Sequence, residues 1–253
     1  MSEYLLSTSG LTKQFGHHKA VNNVDLHVKK GAIYGFIGRN GAGKTTFLKM
    51  ISGLSKPTDG EIQMFGYRNE ELKNVRSRIS CLIEAPGIYG NMSAYHNLAI
   101  KCRLFGINDS KYIENILKIV GLSEVGKKKT KHFSLGMKQR LGIGLALVGE
   151  PDLLVLDEPI NGLDPQGIAE IRDMLLRLKE EQNMTIIISS HILEELSKIA
   201  THYGIIHNGS LIQELTREEL MTRCSERMEL TLDDPKAALP ILDQMGFTNY
   251  QVV

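Results

Sequence analysis

The stretch GRNGAGKTT, Gly38 to Thr46, carries the strongest chemical signal in the chain. Gly38, Gly43, Lys44 and Thr45 satisfy the pattern G-x-x-x-x-G-K-[ST], set after the apolar run IYGFI and at the start of a helix. Such a stretch binds phosphate. Glycines let the loop, with Arg39, Asn40, Gly41, Ala42 and Thr46, wrap tightly so that bare amides approach phosphate oxygens, and the helix dipole adds positive potential. Lys44 is placed to bridge the terminal phosphates, and the Thr45 hydroxyl to ligate magnesium. A second element, LLVLDEP, ends four apolar strand residues in Asp157 and Glu158. The carboxyl ends of strands are where α/β sheets hold their ligands. Asp157 is expected to hold magnesium, directly or through water, and Glu158 to polarise an attacking water. Alone, the two carboxylates also suit a solvated acidic turn; beside Gly38–Thr46 they point to a hydrolase rather than a passive binder. A third stretch, HFSLGMKQRLGIGLAL, starts a helix at Ser134 and Gly136 with cations at Lys138 and Arg140. A helix start of this kind suits an anion.

These residues need a scaffold that brings distant stretches together. LLSTSGLTKQF and VNNVDLHVKK alternate apolar and polar residues, as half-buried antiparallel strands do. IYGFIG, ISCLIE, DLLVLDE, MTIIISS and HYGIIHNG are short apolar runs that read as strands. Helical patterns lie between them: GKTTFLKMISGL, PQGIAEIRDMLLRLKEEQ and HILEELSKIA. From about Met92 to Leu147 the pattern is helical throughout. Buried strands alternating with helices predict a parallel α/β core carrying a helical insertion. After Gly209, MELTL, DPKAALPILDQMG and FTNYQVV read as strand, helix and strand of a small α+β unit. The chain closes on an apolar strand, so we expect a longer native chain or an appendage completed by a partner.

Composition narrows the class. The 253 residues are 42% hydrophobic with a formal charge of +1, ample for a core and without the basic excess of a nucleic-acid binder. Cys81, Cys102 and Cys224 lie far apart with no metal-type spacing, which predicts a reducing compartment, no disulfide framework and no metal held by cysteine. MSEYLLSTSG has an acid and no apolar core, so no signal peptide is expected. The longest apolar runs fall short of a membrane span.

The order phosphate loop, FSLGMKQR, LLVLDEP, NGLD, IIISSH resembles the ATP-binding subunits of ABC transporters over roughly Leu5 to Gly209. The resemblance implies an α/β fold of the ABC ATPase type: a P-loop NTPase core, an antiparallel β subdomain and a helical signature subdomain. The ATP-binding domain would span 1–210, its helical lobe about 85–148, with the α+β extension over 211–253. FSLGM stands where the family has LSGGQ, keeping Ser134 and Gly136 and departing at Leu135 and Met137. By the same resemblance Ser134 and Gly136 bind the γ-phosphate of ATP held by a second copy, so the ATP-bound state is a dimer, most simply a homodimer. Phe15 takes the place of the aromatic that stacks on adenine, though an early-strand aromatic also suits the core. Asp164 matches the loop that touches the opposite site, and it also suits an N-cap before Pro165. His191 matches the histidine at the γ-phosphate; the other histidines read as ordinary surface or core residues. Glu84 stands where the family usually has a glutamine that ligates magnesium.

LIEAPGIYGNMSAYHNL together with SLGMKQRLGI looks like the branch involved in bacitracin and lantibiotic resistance. The resemblance therefore implies Mg-ATP hydrolysis coupled to export of a peptide antibiotic. It also implies an integral membrane permease partner, a peripheral position on the cytoplasmic face of the membrane, and no nucleic acid. Ile88, Tyr89, Met92 and Tyr95 are candidates for the permease contact, although such residues equally suit a core. Lys127 to Lys131 read as a solvated loop. Two other classes share some motifs: a soluble ATPase switch on ribosomes or DNA, which usually has two domains or a long coiled coil, and a phosphate-loop kinase, which would leave Glu158 and His191 unused.

Overall fold

In the computed structural model, residues 4–223 and 235–246 are described. The chain divides into two compact units, Met1–Arg217 and Glu218–Val253. The first opens with β1 (Tyr4–Phe15), β2 (His18–Lys29) and β3 (Ile33–Ile37), followed by α1 (Lys44–Ile51). β4 (Asp59–Met64), β5 (Tyr67–Arg68) and β6 (Ile79–Leu82) precede three helices, α2 (Ala94–Leu104), α3 (Ser110–Ile119) and α4 (Leu135–Leu147). Then come β7 (Leu153–Asp157), α5 (Pro165–Gln182), β8 (Thr185–Ser190), α6 (Leu193–Ser197), β9 (His202–His207) and β10 (Ser210–Thr216). α7 (Arg217–Arg223) and α8 (Pro235–Gln244) follow. The expected helix in DPKAALPILDQMG corresponds to α8, whereas MELTL and FTNYQVV lie outside the described residues.

Two sheets result. One is four-stranded and antiparallel in the order β2-β1-β4-β5. The other is six-stranded in the order β10-β9-β3-β8-β7-β6, parallel except for β10. Sequence texture follows from this burial. β3, β7 and β8 are buried along their whole length, covered on both faces, and so read as unbroken apolar runs. In β2, Val24, Leu26 and Val28 face inward while Asp25, His27 and Lys29 face out, which is the alternation of a half-buried strand. β4 and β5 had no sequence expectation; they are short strands around the turn Phe65–Gly66, both residues at positive φ.

α1 buries Phe47, Leu48, Met50 and Ile51 in the same core as Val155 and Ile187, with the Phe36 and Phe47 rings 4.9 Å apart. The first unit runs past the expected break at 210 because β10 pairs with β9. Glu214 of β10 accepts from the Tyr34 hydroxyl at 2.6 Å and from the His27 amide at 2.9 Å, with the His27 ring also 2.9 Å away. That carboxylate therefore ties β10 to strands of both sheets. Burial first, then Glu214, pushes the Tyr34 phenol well above its ordinary pKa, so it stays a donor.

Candidate functional site

Strand register sets where the chemistry gathers. Ile37 of β3 lies beside Ser190 of β8, Ser189 beside Asp157 of β7, and Leu156 beside Leu82 of β6. The segments leaving these four strands, at Gly38, His191, Glu158 and Glu84, therefore start at one edge of the sheet. The Gly38 amide donates across to Ser190 O at 3.2 Å.

Gly43 is the N-cap of α1 at φ 104, and a Cβ there would stand 2.2 Å from the carbonyl oxygen of Ala20. Only glycine fits both the conformation and the space. No side chain caps α1 and no acid occupies its first turn, so its first amides remain open to an anion. Lys44 is buried, 5% exposed, and its ammonium curls back into the loop. It donates to Gly38 O at 2.6 Å and Arg39 O at 3.2 Å, and stands 3.1 Å from Glu158 Oε1. That last contact is an ion pair without hydrogen-bond geometry, which leaves Glu158 Oε1 with no donor.

The two carboxylates are held differently. Asp157 is buried and each of its oxygens accepts one hydrogen bond: Thr45 Oγ1 donates to Oδ2 at 2.7 Å and Ser189 Oγ to Oδ1 at 2.6 Å. Glu158 sits between a cation and an imidazole, with Lys44 at Oε1 and His191 Nδ1 2.9 Å from Oε2. Its backbone has φ 49, left-handed for a residue with a Cβ. Such strain costs on the order of 1 kcal/mol and marks positions where the surrounding fold dictates the conformation.

Ser189 was missed by sequence reasoning. Its hydroxyl donates to Asp157 and accepts from the Glu158 amide at 2.9 Å, so one group fixes both carboxylates. A serine inside IIISSH has no local signature; only its register opposite Asp157 reveals the role. Ser189→Ala would strand a buried carboxylate oxygen and a backbone amide. The expected loss is about 1–3 kcal/mol of stability, measured by denaturant unfolding.

The remaining candidates fall into separate places. Glu84, at φ 65 and 67% exposed on its side chain, pairs with Lys49 of α1 at 2.5 Å. Ser134 caps α4 by accepting from the Met137 amide at 3.2 Å, and Asp164 caps α5 by accepting from Gly167 at 3.1 Å, with Pro165 in the first turn. These two caps adjoin: a Cβ on Gly136 would lie 3.7 Å from Leu163, and Arg140 bridges to Glu170 at 3.3 Å. No hydrogen bond or ion pair among the described residues joins this second group to the Lys44 cluster. Phe15 is 56% exposed at the end of β1 with Lys13 over its ring, so it is not a core aromatic.

Ile88, Tyr89, Met92 and Tyr95 are likewise not core, since none of them is buried. Pro86, Gly87 and Tyr89 line a groove of about 290 Å³ together with Leu104, Leu145 and Ala146. Asn97 and Thr130 hold its Tyr89 edge through hydrogen bonds of 2.8 and 2.9 Å. Lys127, Lys128, Lys129 and Lys131 are exposed, as a solvated loop requires.

The chain is similar to known proteins in sequence and in fold. Residues 21–161 match the family described as ABC transporter. Bacitracin transport ATP-binding protein BcrA of Bacillus licheniformis is 46% identical over 243 residues, 95% of this chain and 79% of that protein. Lantibiotic transport ATP-binding protein SrtF of Streptococcus pyogenes is 43% identical over 83% of this chain and 90% of that protein. Among solved structures, cbiO1 of Clostridium perfringens, part of the complex cbiONQ, has a TM-score of 0.79 at 26% identity, covering 87% of this chain and 92% of that one. A nucleotide-free ATP-binding cassette has a TM-score of 0.78 at 27% identity, covering 88% and 96%.

Proposed function

The chain belongs to the ABC transporter family as one of its ATP-binding, ATP-hydrolysing subunits, and from that premise we propose that it drives export of a peptide antibiotic of the bacitracin or lantibiotic kind. The cargo is the one named for its relatives. What supports the catalytic reading is the convergence of Lys44, Thr45, Asp157, Glu158 and His191 at one sheet edge.

Magnesium fits the donors present. Thr45 Oγ1 and Asp157 Oδ2 meet at 2.7 Å, both hard oxygens at the foot of α1. Among the described residues no three His, Cys, Asp or Glu side chains form a closed cage, which suits an ion that completes its shell with phosphate oxygens and water. When bound, it neutralises charge on the phosphates. The open amides at the start of α1 take the phosphates, and Phe15 offers its exposed face to the base. The Lys44 ammonium leaves Glu158 and the loop carbonyls for the terminal phosphates. Glu158, released from that cation and steadied by His191 at Oε2, orients a water and accepts its proton. Ser134, Gly136 and Asp164 act on the ATP of a second copy, so the closed dimer is the catalytic unit.

No helix among the described residues is long and apolar enough to cross a membrane. An integral permease supplies the transport path, docks at the groove beside Tyr89 and holds this subunit on the cytoplasmic face. The test is capture of Glu158→Gln, with Mg-ATP present, from gently solubilised cells of the source organism. A multi-span membrane protein is the expected companion. Ribosomes or soluble partners alone would overturn the transport reading.

A further inference from the structure

We propose that Lys49 is a positioning residue that competes with the divalent metal for Glu84. The inference rests on the reading that nucleotide and metal meet at Thr45 and Asp157. Lys49 follows Thr45 by four residues on α1, so both project from one face, a helical turn apart. The Lys49 ammonium donates to Glu84 Oε1 at 2.5 Å. Glu84 stands two residues beyond Leu82, whose register partner is Leu156, so Glu84 and Glu158 leave neighbouring strands at the same level. Glu84 therefore leaves the sheet at the same end as Asp157, tethered to a residue one helical turn from Thr45.

That tether is built to be exchanged. Lys49 is the only ion-pair partner of Glu84 among the described residues, and the contact is open to water at its Glu84 end, where such pairs are weak. The segment beyond is held more firmly. Pro86 packs so closely on α4 that a Cβ at Gly142 would lie 2.7 Å from it, and the Tyr89 amide donates to Asn97 at 2.8 Å. A divalent cation held by Thr45 and Asp157 would attract the Glu84 carboxylate away from Lys49. Lys49 thereby sets how strongly metal arrival is resisted.

The test measures Mn2+ binding by electron paramagnetic resonance in the presence of a saturating non-hydrolysable ATP analogue. Lys49→Met is expected to tighten Mn2+ about three- to fivefold, the factor an exposed ion pair is worth. Glu84→Gln should weaken it, Lys49→Met added to Glu84→Gln should give no gain, and Lys49→Arg should keep the original affinity. An unchanged Lys49→Met, or an equal gain in the Glu84→Gln background, would overturn the proposal, since the latter is what loss of general positive charge produces. If the unsubstituted chain shows no nucleotide-dependent Mn2+ site, the underlying reading fails and the inference with it.

Discussion

Glu158→Gln is expected to lower ATP turnover about 10²–10⁴-fold while nucleotide binding survives. The substituted amide has nearly the shape of the carboxylate, keeps a hydrogen-bonding oxygen within reach of His191, and tolerates the same left-handed backbone no worse than glutamate does. What it loses is basicity, and with it the ability to take a proton from water. It also loses the ion pair with Lys44, which frees that ammonium for phosphate. Binding should therefore be equal or tighter, and the ATP-bound dimer should accumulate. Phosphate release, fluorescent-nucleotide binding and size-exclusion chromatography read the three effects separately. Turnover near that of the unsubstituted chain would remove Glu158 as the general base.

Lys44→Ala should fail at the earlier step. Its ammonium is the only buried cation at the loop and already satisfies the Gly38 and Arg39 carbonyls, so the loop is shaped around it. Removing a preorganised charged donor from a site of this type costs about 10²–10³-fold, and here the loss should fall on nucleotide affinity as well as turnover. Equilibrium binding of a fluorescent ATP analogue checks the first and phosphate release the second. Circular dichroism should remain that of the unsubstituted chain, since α1 is anchored by Phe47, Leu48, Met50 and Ile51 rather than by Lys44. The two variants thus separate binding from chemistry. Tight binding by Lys44→Ala would be incompatible with its assignment.

Much of this architecture was legible from neighbouring residues alone. GRNGAGKTT encodes a glycine-dependent turn into a helix, and unbroken apolar runs mark strands covered on both faces. Alternation in VNNVDLHVKK marks an antiparallel strand with one wet face. Ser134 and Asp164 were readable as helix starts because a cap bonds to an amide three residues on. All these signals are local: they report the backbone conformation and side-chain period of one segment.

Other features depend on which segments become neighbours. The pairing of β8 with β7 sets Ser189 against Asp157, and nothing in IIISSH announces it. The reach of the first unit through β10 depends on Glu214 meeting His27 and Tyr34 from strands far back in the chain. Phe15 and the Tyr89 segment could have been core or surface until their exposure was seen. The Lys49–Glu84 pair joins a helix to a loop across the sheet edge. By itself the sequence determined the phosphate loop, the strand and helix types and the carboxylates that end β7. Tertiary structure alone decided which polar atoms satisfy one another there, because a buried donor takes whatever acceptor strand order brings within 3 Å or so, and strand order is settled by packing of the whole sheet.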